Sequence, residues 1–233
     1  MGTIAIIAAM PEEVAEVKNK MTDTKTEQYF GKDFTCGLLS GKECVLAESG
    51  VGKVNASGVT QFIIDKYSPE AIINVGSAGA VEPNVRLGDI VVSSSCVQHD
   101  FDITAFGREK GFITGVGKNI EADQRLIDII ESATRPQSGD YNVFKGIIAS
   151  GDCFVSTAEK KAEIHNEFGA LCVEMEGAAV AQICKTRSVP FVVIRSISDT
   201  LEGDITLTFE EFLVLSSKRC AAALEKAVRL IKF

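Results

Sequence analysis

Thr3–Ala9 is an unbroken apolar run, too short for a core helix and too continuous for a half-exposed strand, so it reads as a strand covered on both faces. Pro11 suits the first turn of a following helix, Glu12 and Glu13 sit at its positive N-terminal end, and Val14 and Val17 face the sheet. Thr24–Tyr29, Phe34–Leu39 and Glu43–Ala47 are short runs separated by Gly31-Lys32-Asp33 and Ser40-Gly41-Lys42, which predicts a meander of hairpins. From Gly50 the period becomes helical, with Ala56, Val59, Phe62 and Ile63 on one face, and Pro69 precedes the apolar run Ala71–Val75. Further strands are predicted at Ile90–Ser93, Phe144–Ala149, Leu171–Val173 and Phe191–Ile197, with helices near Asp123–Ala133, Ala158–Phe168 and Gly177–Arg187. Phe209, Phe212, Leu213, Ser216, Cys220, Ala223, Leu224, Ala227, Val228 and Ile231 recur at helical steps and predict a long last helix.

Helices alternating with buried strands predict a three-layer α/β sandwich around a central mixed, mostly parallel twisted sheet. At 233 residues with 45% apolar content, and without linker or repeat, the chain is expected to form a single domain over 1–233. A net charge of −8 without any basic run argues against nucleic acid as a partner. Seven cysteines without a C-x-x-C pair, and only two histidines, read as small buried thiols in a reducing compartment rather than a metal site or disulfide framework. No basic leader and no long apolar stretch opens the chain, so a cytoplasmic protein with no membrane partner is expected.

Two glycine clusters resemble nucleotide loops and fail the test. Ser49-Gly50-Val51-Gly52-Lys53 has Ala47 where a P-loop needs its first Gly and Val54 where it needs Ser or Thr, and a dinucleotide fingerprint from Gly50 would need Gly at Asn55. A tight strand-to-helix turn remains, at a place where a ligand could bind. Gly76-Ser77-Ala78-Gly79-Ala80 reads as a loop of small residues after a buried strand, either a plain turn or a place where a ligand approaches main-chain N–H groups. Ser77 lacks the surroundings of a hydrolase nucleophile, and His99-Asp100-Phe101-Asp102 reads as capping and turn chemistry before it reads as a metal site.

The acids are more informative. Val173-Glu174-Met175-Glu176-Gly177 places two carboxylates between a buried strand and an Ala-rich helix, and the most apolar strand ends in Ser198-Asp199. Each acid alone could be a helix cap. Ligands in open α/β sheets bind beyond the carboxyl ends of the strands, and Glu13, Gly76–Gly79, Glu176 and Asp199 all occupy such positions. One carboxyl kept protonated by burial and another kept ionised would suit cleavage of a glycosidic bond through a cationic transition state.

With these residues stand Ile6-Ile7-Ala8-Ala9-Met10-Pro11-Glu12-Glu13-Val14, Asn74-Val75-Gly76-Ser77-Ala78-Gly79, the stretch from His99 to Gly107, Ser150-Gly151-Asp152-Cys153-Phe154, Ser196-Ile197-Ser198-Asp199 and Phe209-Glu210-Glu211-Phe212. In that order, over essentially the whole chain, they resemble the 5′-methylthioadenosine/S-adenosylhomocysteine nucleosidases of the purine nucleoside phosphorylase superfamily.

The resemblance implies a nucleoside phosphorylase-like fold and hydrolysis of the adenine–ribose N-glycosidic bond, without metal or organic cofactor, in a homodimer serving methionine salvage and nucleoside catabolism. Residue by residue, it implies that Asp199 protonates adenine N7 with help from Ser198, that Glu13 activates water, and that Glu176 holds the ribose hydroxyls and stabilises the oxocarbenium-like charge. Met175 would pack on the sugar, Ser77 and Arg195 would lie near the water, Phe154 would stack on adenine, Val155 would read its edge through the main chain, and Ala78 and Gly79 would line the base site. Met10, Val51 and Phe209 would wall the 5′-thio tail, with Phe106 reaching in from the second subunit. Asn74 stands where hexameric phosphorylases carry an arginine, and Met10-Pro11-Glu12-Glu13 replaces their phosphate loop, which favours water over phosphate as nucleophile. The family's prolines after Phe106-Gly107 are replaced by Lys110–Gly117 with three glycines, predicting a more mobile loop and leaving the tail open among methylthioadenosine, S-adenosylhomocysteine, 5′-deoxyadenosine and aminodeoxyfutalosine. A purine nucleoside phosphorylase and an inactive purine-binding protein are the alternatives.

Overall fold

The computed structural model describes residues 2–135, 140–200 and 209–232, with side chains of the last segment from 214 onward. In chain order the elements are β1 (Ile4–Ala8), α1 (Pro11–Lys18), β2 (Met21–Tyr29), β3 (Lys32–Leu39), β4 (Lys42–Glu48), α2 (Lys53–Tyr67), β5 (Ala71–Ala80) and β6 (Ile90–Gln98). After a 3-10 turn at Thr104–Phe106 come β7 (Ile120–Glu121), α3 (Gln124–Thr134), β8 (Val143–Ser150), α4 (Ala158–Phe168), β9 (Ala170–Glu174), α5 (Gly177–Arg187), β10 (Phe191–Asp199) and α6 (Phe209–Leu230).

The continuous apolar strands serve two cores at once. In β1, Ile4, Ile6 and Ala8 pack under α1, α3 and α6, while Ala5 and Ile7 pack under α2 and α5. The period-2 alternation of a strand thus sends every residue into one apolar layer or the other. This gives the three layers expected from the sequence.

The ten strands form one mixed sheet that partly closes on itself. β5 pairs with β10, β10 with β6, β6 with β8, β8 with β9, and β9 returns to β5; β1, β4, β3 and β2 extend from the opening half of β5. β5 is therefore the seam. β10 runs beside it from Ile72 to Gly79, whereas β1 follows only Ala71–Asn74 and β9 takes over at Gly79 and Ala80. Between the two partners the strand has an open edge.

That arrangement corrects one expectation. Gly76–Ala80 is not a loop after the strand but the second half of β5 itself, held in extended form by β10 as far as Gly79 and by β9 at Gly79 and Ala80. Small residues weaken strand propensity locally, and pairing with a long buried neighbour overrides it. The glycine loop at Lys110–Gly117 is also more tightly held than expected. Gly111 donates its N–H to Phe101 O at 2.8 Å, Ile113 is buried and bridges Gly117, and Lys185 Nζ reaches Val116 O at 2.7 Å. Gly111 lies at φ +80°, against Val97 and Phe168.

Candidate active site

The open edge of β5 is the floor of a cavity of about 190 Å³. Its lining brings together Met10, Glu13, Val51, Ser77, Ala78, Gly79, Phe154, Val155, Met175, Glu176, Arg195, Ser198 and Asp199, all expected at a site from the sequence. Cys153 and Glu174 line it as well. Val51 and Phe154 stand at the exposed rim. Phe106 is 83% exposed on its 3-10 turn and is not part of this chain's own cavity. The side chain of Phe209 lies outside the described residues.

Glu13 reaches the floor from the first turn of α1. Its Oε2 accepts the N–H groups of Ala9 (3.0 Å) and Met10 (3.1 Å), and Oε1 accepts the N–H (3.0 Å) and hydroxyl (3.3 Å) of Ser77. The Ser77 N–H is free to donate because β1 has ended and β9 has not begun. Burial nevertheless pushes the Glu13 carboxyl above its ordinary value, against the opposing effects of Arg195 and these N–H donors. A buried carboxylate with raised proton affinity is suited to take a proton from water.

The glycines of β5 make room for the acids. A Cβ on Gly76 would lie 2.9 Å from Glu13 Oε1, and one on Gly79 would lie 2.8 Å from Asp199 Oδ2. Both carboxylates thus rest on bare main chain. Asp199 ends β10, and its Oδ1 is 3.5 Å from the hydroxyl of Ser198, which also meets Ala78 O at 3.4 Å.

The two acids after β9 divide their duties. Glu174 is fully enclosed, where it accepts from Arg195 Nη2, the hydroxyl of Ser150 and the N–H groups of Glu176 and Gly177. Despite the cost of burial, Arg195 and these donors hold Glu174 below its ordinary value. It is a structural anion that neutralises Arg195 and caps α5. Glu176 keeps one strong partner, the Gly52 N–H at 2.7 Å, offered from a backbone at φ +98°. Burial, then the charge of Glu174, raise Glu176 to about 7. The turn at Gly50–Gly52, read from the sequence as a tight strand-to-helix turn where a ligand could bind, thus delivers an N–H to Glu176.

Arg195 is buried between Glu174, Asn74 Oδ1 (2.6 Å) and Ile194 O (3.2 Å), with Nε left without a partner. Asn74, whose Nδ2 donates to Ile7 O at 2.9 Å, ties β1 to this arginine. Sequence reading did not single out Lys161, whose Nζ donates to Asp199 Oδ2. The signal was present: Lys161 shares its helix face with Ile164 and Phe168.

Two side readings change in detail. Asp102 caps Thr104 N at 2.8 Å and Asp100 binds Lys53 Nζ and Asp152 N, which is the turn chemistry expected, but His99 is buried with Nε2 unpartnered. All seven cysteines are free thiols, yet Cys153 is exposed at the cavity and Cys36 only partly covered. Cys153 follows a strand end and so escapes the core that buries Cys44, Cys96, Cys172, Cys184 and Cys220.

A split seam with acids above it defines an α/β protein of the nucleoside phosphorylase type, and the family model of the phosphorylase superfamily matches residues 3–229. A 5′-methylthioadenosine/S-adenosylhomocysteine nucleosidase from Bacillus cereus is 42% identical over 211 residues, 90% of this chain and 91% of its own. The corresponding protein from Neisseria meningitidis, solved with methylthio-immucillin-A, superposes with a TM-score of 0.93 at 36% identity, covering 99% of this chain and 100% of that one. An aspartate-to-asparagine mutant of the Helicobacter pylori protein, with 5′-methylthioadenosine in the active site, gives a TM-score of 0.91 at 32% identity, covering 99% of this chain and 100% of that one. The chain belongs to the 5′-methylthioadenosine/S-adenosylhomocysteine nucleosidase family of that superfamily.

Proposed function

We propose that this single-domain protein hydrolyses the N-glycosidic bond of 5′-methylthioadenosine and S-adenosylhomocysteine, releasing adenine and the 5-thio-substituted ribose, with Asp199 as general acid, Glu13 as base and Glu176 on the sugar. The observation that carries the reading is the convergence of these three carboxylates on one cavity over the open edge of β5. Asp199 gives its proton to N7 as the C1′–N9 bond lengthens, so adenine departs neutral. Glu13 takes a proton from the water that attacks C1′, with Ser77 and Arg195 beside it. Glu176 accepts the ribose hydroxyls, and its negative charge opposes the positive charge growing on the sugar. Phe154 and Val155 cover the base, Met175 the sugar, and Met10 and Val51 the apolar tail.

Water is favoured over phosphate by what stands at the nucleophile side. Glu13 would repel a dianion, and Arg195 already spends its charge on Glu174. Val51 and Phe154 stand exposed at the rim and Phe106 is exposed away from this chain's own cavity, which supports a homodimer in which Phe106 closes the partner's cavity. Free thiols throughout fit the reducing, cytoplasmic compartment read from the sequence, and a role in methionine salvage is what the family resemblance implies.

The deciding assay measures adenine release from 5′-methylthioadenosine without phosphate and then with it. Release that is indifferent to phosphate is expected; dependence on phosphate would mean a phosphorylase, and tight binding without release an inactive binding protein. The Asp199→Asn variant should fold and lose adenine release by about 10²–10⁴-fold. Full activity in that variant would refute the acid assignment. Competition among methylthioadenosine, S-adenosylhomocysteine, 5′-deoxyadenosine and aminodeoxyfutalosine ranks the tails, and sedimentation at assay concentration tests the dimer.

A further inference from the structure

Lys161 sits on the buried face of α4 with Ile164 and Phe168, at a position where the packing of the other two calls for an apolar side chain. Its side chain is 4% exposed, whereas every other ion-paired lysine among the described residues is at least 16% exposed. Nζ donates to Asp199 Oδ2 and, at 2.9 Å, to the main-chain O of Thr200. An ammonium is costly to bury unless it is paired. Here its partner is a carboxylate at the reaction centre, while Lys161 itself does not line the cavity.

We propose that Lys161 is a positioning residue for the general acid: it holds the Asp199 carboxyl over Gly79 and stabilises the negative charge left there when the proton passes to the leaving base. The inference rests on the assignment of Asp199 as that acid. With Oδ2 occupied by Lys161, Oδ1, the oxygen beside Ser198, carries the proton toward the purine. When that proton moves to N7, the C1′–N9 electron pair goes to adenine, the water oxygen bonds to C1′, and the water's proton goes to Glu13. Lys161 remains an ammonium throughout. The ion pair of the ligand-free chain corresponds to Asp199 without its proton; once Oδ1 has taken up a proton from solvent for the reaction, the Lys161 hydrogen bond is to a neutral acid, and it strengthens back to an ion pair as that proton passes to N7.

The test compares two substrates across wild type, Lys161→Met, Lys161→Arg and Asp199→Asn. One is 5′-methylthioadenosine, whose leaving group needs a proton; the other is the 4-nitrophenyl 5-methylthioriboside, whose leaving group departs as a stable anion. Lys161→Met should lower kcat on the nucleoside by about 10–100-fold, with KM within about threefold, and leave the nitrophenyl riboside near wild type. Lys161→Arg should recover most of the loss. Wild-type turnover of the nucleoside by Lys161→Met, or an equal loss on both substrates, would overturn the inference. Should Lys161→Met fail to fold, Lys161→Gln, which keeps a donor without the charge, must show the same selective loss. If Asp199→Asn alone shows the selective loss, the acid assignment stands without Lys161; if Asp199→Asn keeps full nucleoside turnover, the assignment itself falls.

Discussion

Replacing Glu176 with glutamine keeps the side chain's shape and an oxygen for the Gly52 N–H, but removes the charge that burial and Glu174 resist. In the folded chain this carboxyl is held at about 7 against an ordinary 4.5, a difference worth about 3 kcal/mol. Because the folded value is raised, the native state binds more protons than the unfolded chain between those two pH values. The associated stability is complete below the unfolded value and is lost as pH rises through the folded one. Between about pH 5 and about pH 8 the wild type should therefore lose roughly 2–3 kcal/mol through this group, and Glu176→Gln should not. For a chain of this size that is a gap in Tm of roughly 5–10 °C opening toward alkaline pH. Glu13 shifts in the same direction and is present in both proteins, so the gap reports the Glu176 charge together with its repulsion by Glu174 and Glu13. Ligand-free unfolding of both proteins at one concentration and both pH values measures it. A gap that does not change with pH would refute the claim that Glu176 is a desolvated, raised acid.

Other outcomes follow from the same geometry. Glu13→Gln should reduce adenine release by about 10²–10⁴-fold, with added phosphate giving no recovery; activity within a few-fold of wild type would remove Glu13 from the chemistry. Gly79→Ala places a Cβ 2.8 Å from Asp199 Oδ2, so kcat should fall by about 10–100-fold while stability changes by less than about 1 kcal/mol, read by kinetics and denaturation side by side. A thiol reagent under native conditions should modify Cys153 first, and a bound nucleoside analogue should slow that reaction; protection that is absent would place Cys153 away from the ligand.

Much of the fold was legible because the segments are locally consistent. α4 and α5 have the bounds read from their periodicity, and the apolar run before Pro11 is a strand buried on both faces. What the chain's pattern could not supply was the pairing. Ala71–Val75 looked finished at its glycines because glycine opposes strands locally, whereas β10 carries the strand on to Gly79 and β9 to Ala80. The two residues of β7 give too short a pattern to read. At the site, Glu13, Glu176 and Asp199 were legible as charges at strand ends. Glu174 and Lys161 were not assigned, since sequence cannot say which of two neighbouring acids meets Arg195, or that a lysine in an apolar stripe meets Asp199.

The open edge of β5 also bears on how such a protein can be re-engineered. Its floor is main chain clamped along one side by β10, and its two glycines have no room for a side chain. A library aimed at new substrates gains nothing there except misplaced carboxylates. Met10, Val51, Phe154 and Met175 arise from four separate connections, so each can be varied without disturbing the others' strands. The carboxylates rest on sheet main chain that tolerates no change, while the side chains around them hang on replaceable panels.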